Sequence, residues 1–107
     1  MPRQFFVYVI ELDPAVLQRR RFRVRNPNYR TGRPCVYVGS SVQRPDLRFD
    51  QHKAGYKSNR YAHRFGLKLR PDLFERYNPI PSRADALDIE AYLAERLRGE
   101  GWGVWQG

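Results

Sequence analysis

Cysteine is almost absent from this chain. The single thiol, Cys35, excludes an internal disulfide and any cysteine-rich zinc site. It sits in an apolar run, where a buried small hydrophobe is the expected role. Acid is scarce too: eleven Asp and Glu face twenty Lys and Arg, for a net charge of +9. Long apolar runs are missing. Nothing approaches the roughly 20 residues that a membrane span needs, so no membrane partner is expected. The opening segment lacks the apolar core and small-residue cleavage site of a secretory signal; the expected location is cytoplasmic. There is no internal repeat and no low-complexity tract.

What is present fits one compact unit spanning residues 1–107, with 41% hydrophobic and 14% aromatic residues. The basic excess favours a polyanionic partner. Residues 5–12, FFVYVIEL, read as a central strand, because they are aromatic and β-branched with both faces apolar. Residues 35–39, CVYVG, read as a second strand, and two strands this close in sequence are expected to pair antiparallel. Between them, residues 13–34 read as a long hairpin or loop bounded by turn formers. A helix is expected over 45–54, with Pro45 in its first turn and Gly55 past its end. A short helix over 58–65 closes at Gly66, and a longer one over 83–98 starts from Ser82. The tail supplies a last strand. The class is α+β (mixed α/β): a small antiparallel or mixed sheet of about three strands flanked by helices, in the order β-β-α-α-α-β.

The last helix holds an acid where an apolar residue is expected. At 100° per residue, Ala86, Ile89, Leu93 and Leu97 mark a core-facing stripe flanked by Leu87 and Ala94. Glu90 falls inside it, whereas Asp85, Asp88 and Glu95 point elsewhere. An inward carboxylate must be paired, protonated or bound to metal. A buried ion pair with an arginine and a functional acid are equally good accounts, and periodicity does not choose between them. On the first helix, Arg48 and His52 share a face at i, i+4 spacing, with Leu47 and Ala54 turned toward the core. By themselves they are solvated surface residues. Tyr8 and Tyr37 lie in the two strands, where half-buried packing is the ordinary role.

Taken in order, these residues resemble the GIY-YIG nuclease superfamily. Phe6-Val7-Tyr8 stands where the family has Gly-Ile-Tyr, and Tyr37-Val38-Gly39 where it has Tyr-Ile-Gly. Arg48, His52 and Gly55 match its helix motif, and Ala86-Leu87-Asp88-Ile89-Glu90 its later Ala-Leu-x-x-Glu. The similarity covers residues 5–12 and about 35–99. Phe6 departs from the first glycine, the connection between the first two motifs is longer than usual, and no Asn stands clearly at the family's occasional C-terminal asparagine position.

The resemblance implies a metal-dependent endonuclease acting on nucleic acid, DNA before RNA. Glu90 would hold one Mg²⁺ or Mn²⁺ and Arg48 the scissile phosphate. Tyr8 would serve as general base with His52 as competitor, Tyr37 would orient water or phosphate, Gly39 would serve the backbone of its motif, and Lys53 would touch phosphate. Seven arginines (Arg19, Arg20, Arg21, Arg23, Arg25, Arg30 and Arg33) lie within residues 19–33 with no acid, leaving +2 for the rest of the chain. They form either a solvated surface or a clamp on the phosphate backbone, with Phe22, Val24 and Tyr29 along one apolar side of a ribbon. The clamp is the expectation carried forward. A homodimer or a partner protein is compatible with a lone domain. Two rivals stand beside the enzyme: a non-catalytic nucleic-acid-binding module of the same fold, and an interaction protein that docks an acidic partner through the arginine segment.

Overall fold

The computed structural model describes residues 3–107. Strand β1 (Phe6–Leu12) pairs antiparallel with β2 (Cys35–Ser41), from Phe6 opposite Ser41 to Leu12 opposite Cys35. A short strand β3 (Gly66–Leu69) adds antiparallel to the other edge of β1, and β4 (Gly103–Gln106) adds parallel to β2. The result is a mixed four-stranded sheet of order β3-β1-β2-β4, one strand more than expected. Strand β3 escapes notice because four residues carry too little alternation to read as a strand. Gly66 closes the helix over Arg60–Phe65, as expected, and also opens β3. Where β3 ends, the Asn78 side chain continues the pairing, accepting from the Val7 N–H and donating to the Val7 carbonyl.

Side chains alternate across a sheet, so the register sorts the strand residues into two faces. Tyr8, Ile10, Tyr37, Gly39 and Trp105 share one; Val7, Val9, Val36, Val38 and Val104 share the other. The five valines are fully buried, each worth roughly 1.5–3 kcal/mol relative to exposure. They lie against helix α5 (Arg83–Gly99). The tyrosine face is covered by α1 (Arg20–Arg25), α2 (Pro45–Ala54) and α3 (Arg60–Phe65), as ring contacts of Phe22 with Tyr61, Tyr61 with Trp105, and His52 with Tyr8 show. A one-turn α4 (Pro71–Phe74) packs beside β1.

The segment expected as a hairpin or loop is helical. Residues Pro14–Gln18 form a 3-10 turn and α1 follows directly. No ribbon forms: Phe22 is fully buried against the core, while Val24, assigned to the same apolar side, is 66% exposed. Both long edges of the β1–β2 pair are already taken by β3 and β4, and the arginines of this segment favour a helix. Helix α2 has the expected limits, with Pro45 in its first turn and Gly55 closing it at φ 83°, a left-handed conformation suited to glycine. Its inward face is not the expected one: Leu47 and Ala54 are exposed and His52 is buried. Helix α5 begins at Ser82, whose hydroxyl accepts from the Asp85 N–H. Ala86, Glu90, Leu93, Ala94 and Leu97 are buried as the stripe required, whereas Leu87 is exposed.

Candidate active site

Three rings gather on the covered side of the sheet. Tyr8 and Tyr37 come from adjacent strands with centroids 6.1 Å apart, and His52 stands 5.9 Å from the first and 5.3 Å from the second. Gly39 makes this packing possible. A Cβ there would lie 2.6 Å from the Tyr8 hydroxyl, so any side chain would push the phenol out of place.

Hydrogen bonding fixes the proton on His52. Its Nδ1 accepts from the backbone N–H of Asn59 at 3.1 Å, and a backbone N–H can only donate. Burial, helped by the Arg48 charge, pushes its pKa down to about 4, so the ring is neutral at pH 7. A neutral imidazole that accepts at Nδ1 carries its hydrogen on Nε2. That Nε2–H therefore donates to the Tyr8 oxygen, 2.9 Å away, and the phenol's own hydrogen points elsewhere. Asn59 also caps α3 through its side chain, which accepts from the Tyr61 and Ala62 N–H groups. Its place before a helix is a sign that the sequence carries, but its bond to His52 is not.

Both phenols are held above their ordinary pKa. For Tyr8 the causes are burial first and then the Tyr37 phenol, opposed by Arg48, with the Glu90 charge adding to the rise. For Tyr37 burial again dominates, and Glu90 and Arg48 act in the same opposing senses. Glu90 and Arg48 thus both lie within electrostatic reach of the ring cluster. Glu90 arrives from the opposite face, beyond the end of β4, where Gln106 donates from Nε2 to Glu90 Oε2 at 2.9 Å. The carboxylate is 5% exposed, and among the described residues it has no arginine or lysine partner. Among the described residues its Oε1 has no hydrogen bond, and no fully buried side-chain oxygen is left without one; Oε1 therefore reaches solvent. The Tyr37 hydroxyl lies beside that of Tyr8, whose hydrogen bond works against the rise in the Tyr37 pKa. Gln106, like Asn59, went unread: a penultimate glutamine carries no local signal.

Arg48 is half-buried and occupied. Nη1 donates to Gln51 Oε1 and the Tyr56 carbonyl, and Nη2 to the Lys57 carbonyl at 2.7 Å. Of its five N–H donors, these bonds leave the Nε–H and one Nη2–H. Lys53 is turned away, donating to the His63 carbonyl.

The arginines of the inserted segment divide. Arg19, Arg20 and Arg21 line a cleft of about 320 Å³ with Arg60 and Arg64 of α3. Arg20, Arg21 and Arg25 line a second, of about 510 Å³, with Val24 and Trp105. Arg23 instead donates to the Leu17 carbonyl, the stem of Arg30 lies against Gly101, and Arg33 sits in a turn whose carbonyl accepts from Tyr29. Among the described residues none of the seven is in an ion pair.

Cys35 is buried with its thiol pushed up to about 11 by burial, so it is an unreactive packing group. Among the described residues no cluster of three metal-ligating side chains occurs, and no helix is long and apolar enough to cross a membrane.

No curated protein and no solved structure matches the chain. The family model of the GIY-YIG catalytic domain does, over residues 24–101, starting within α1 and therefore after the Phe6-Val7-Tyr8 motif. That match spans well over half of the chain and includes β2, α2 and α5, the elements that carry Tyr37, Arg48, His52 and Glu90, and on it this nuclease-type α+β fold belongs to the GIY-YIG family.

Proposed function

We propose that the protein is a divalent-metal-dependent endonuclease that hydrolyses phosphodiester bonds in nucleic acid, DNA before RNA. The observation that carries this reading is Glu90. It is a buried carboxylate without a cationic partner among the described residues, with one oxygen held by Gln106 and the other open to solvent. A hard cation such as Mg²⁺ or Mn²⁺ fits that donor, provided that water and phosphate oxygens complete the shell. Bound there, the ion would supply positive charge to offset the charge developing on phosphate.

The other roles belong to the chain's own groups. Arg48, braced by the Tyr56 and Lys57 carbonyls, keeps two N–H donors for the scissile phosphate, enough for a bidentate contact. Tyr37 presents its hydroxyl to water or phosphate. Tyr8 is the general base. It is protonated at rest: its own proton passes first to the neighbouring Tyr37 hydroxyl, which releases one to solvent, and the resulting phenolate takes the proton of the attacking water. The His52 Nε2–H and the Arg48 charge favour that phenolate; burial and Glu90 oppose it. His52 serves poorly as the base, because its lone pair at Nδ1 is occupied by the Asn59 N–H. The arginine clefts hold the phosphate backbone away from the reacting atoms.

One observation favours a rival. Arg48 already satisfies a loop, as it would in a binding module that retains the fold without the chemistry. Nicking of supercoiled plasmid with Mg²⁺, Mn²⁺ or EDTA separates the two. The expected result is cleavage with either ion, none with EDTA, and loss of at least 10³-fold in Glu90→Gln with stability kept or raised, because a poorly solvated charge is removed. Retarded mobility without cleavage under every condition would establish the binding module. A Glu90→Gln chain that unfolds would assign the carboxylate to structure instead.

A further inference from the structure

The groove beside the ring cluster holds a side chain that the proposed chemistry does not use. Trp105 is the β4 partner of Tyr37, on the same face and one strand spacing away, about 4.8 Å. Its indole is only partly buried. One side rests on Tyr61 at 4.7 Å between centroids, and the Arg25 guanidinium lies over it at 5.4 Å. The ring forms a wall of the 510 Å³ cleft, whose other walls are Arg20, Arg21, Val24 and Arg25. Arg20 and Arg21 also line the 320 Å³ cleft next to it, where Arg19, Arg60 and Arg64 add three more guanidinium groups. Among the described residues no acid lines either cleft. The two share a wall, so they form one continuous surface: Trp105 at the end near Tyr37, and at the other end five guanidinium groups around the rings of Tyr61 and Phe65.

That order of chemistries matches one ligand. An unpaired nucleotide has a flat π-face and, on either side, phosphates. Its base stacks on indole, or between indole and a guanidinium, while the arginines take the phosphates. A base locked in a duplex keeps its faces against its neighbours and cannot enter. We propose that Trp105 and the α1–α3 arginines form a subsite for unpaired nucleotides adjoining the scissile phosphate, so that the preferred substrate carries a single-stranded segment there. This rests on the nuclease reading for its position relative to the cut, but the subsite itself is tested by binding alone.

The full chain carrying Trp102→Phe leaves Trp105 as the sole tryptophan. In EDTA, so that nothing is cut, it is titrated with a twelve-residue oligothymidylate, with the uridine equivalent, and with a blunt DNA hairpin. The expected result is strong quenching of Trp105 emission by either single strand, none by the hairpin, and at least tenfold tighter binding of the single strands. Trp105→Leu lowers single-strand affinity about five- to a hundredfold and leaves hairpin affinity within twofold; Trp105→Tyr restores most of the loss. Binding of single strands without quenching, or equal quenching by the hairpin, overturns the subsite, as does an equal loss for both ligands in Trp105→Leu. Should Trp105→Leu fail to fold, the quenching arms and Trp105→Tyr decide the matter. Since no cleavage is read, a negative result here leaves the nuclease reading standing, and an inactive enzyme that still shows quenching leaves the subsite standing.

Discussion

His52 is the residue at which stability and chemistry meet. A histidine on a basic helix is usually solvated and titrates near neutrality, yet this one is buried between two phenols with its Nδ1 tied to a backbone N–H. Its pKa in the folded protein is about 4, against about 6.5 in the unfolded chain. Between those values the unfolded chain binds the extra proton. The contribution is therefore fully present above pH 6.5 and is lost as pH falls toward 4. A shift of this size corresponds to about 3 kcal/mol. Urea denaturation at pH 7 and pH 4.5 should show a larger drop in stability for the native chain than for His52→Gln, which keeps a donor and an acceptor but cannot titrate. Equal drops would mean that the ring is not held neutral, and the assignment of its hydrogen to Nε2 would fall with it.

At the scale of elements, α1 carries the binding proposal. A short helix can set Arg19, Arg20 and Arg21 toward α3, so that their charges add to those of Arg60 and Arg64; a mobile loop would spread them. Replacing the three by Gln should reduce the slope of log affinity against log salt by about 2 to 3, since each phosphate neutralised contributes roughly 0.7 to 0.9. A slope unchanged in nitrocellulose-filter binding would show that these arginines touch solvent only. This element also marks the limit of what the sequence made legible. The limits of α2, the antiparallel β1–β2 pair and the inward Glu90 all follow from local signs: a first-turn proline, a closing glycine, a break in a 3.6-residue stripe. The α1 helix has no such signs. Its six residues contain four arginines around one anchor, Phe22, and what fixes them as a helix is the tertiary pocket that receives that ring. Strand β3 was hidden for a similar reason, being specified by the free edge of β1 more than by its own four residues. Within the site, the family motifs pointed to Tyr8, Tyr37 and His52, but Asn59, Gln106 and Trp105 act through contacts 7, 16 and 68 residues away in sequence, which no local pattern records.

At the scale of the whole molecule, one buried amide ties the inserted segment to the rest. Asn26 ends α1 and is 4% exposed. Its Nδ2 donates to the Phe22 carbonyl and to the Val104 carbonyl, and its Oδ1 accepts from the Val104 N–H and from Arg98 Nε. Arg98 in turn donates from Nη2 to the Val104 carbonyl. Thus α1, β4 and α5 meet at a single side chain, on the outer edge of β4 where no fifth strand follows. Because β4 also carries Trp105 and Gln106, the same amide holds the arginine surface, the stacking ring and the partner of Glu90 in one frame. Asn26→Leu keeps the branching at Cγ but leaves the Val104 N–H without its acceptor and one donor missing at its carbonyl. Unsatisfied buried backbone groups cost about 1–3 kcal/mol each, so the variant should lose roughly that much stability or somewhat more. The loss should not be uniform. Hydrogen exchange should accelerate first in residues 14–26 and 103–106, while the β1–β2 pair, held by its own full ladder, stays protected. Acceleration spread evenly over all four strands would mean that Asn26 supports the core as a whole, and that α1 has no separable role in positioning the cationic surface against the site.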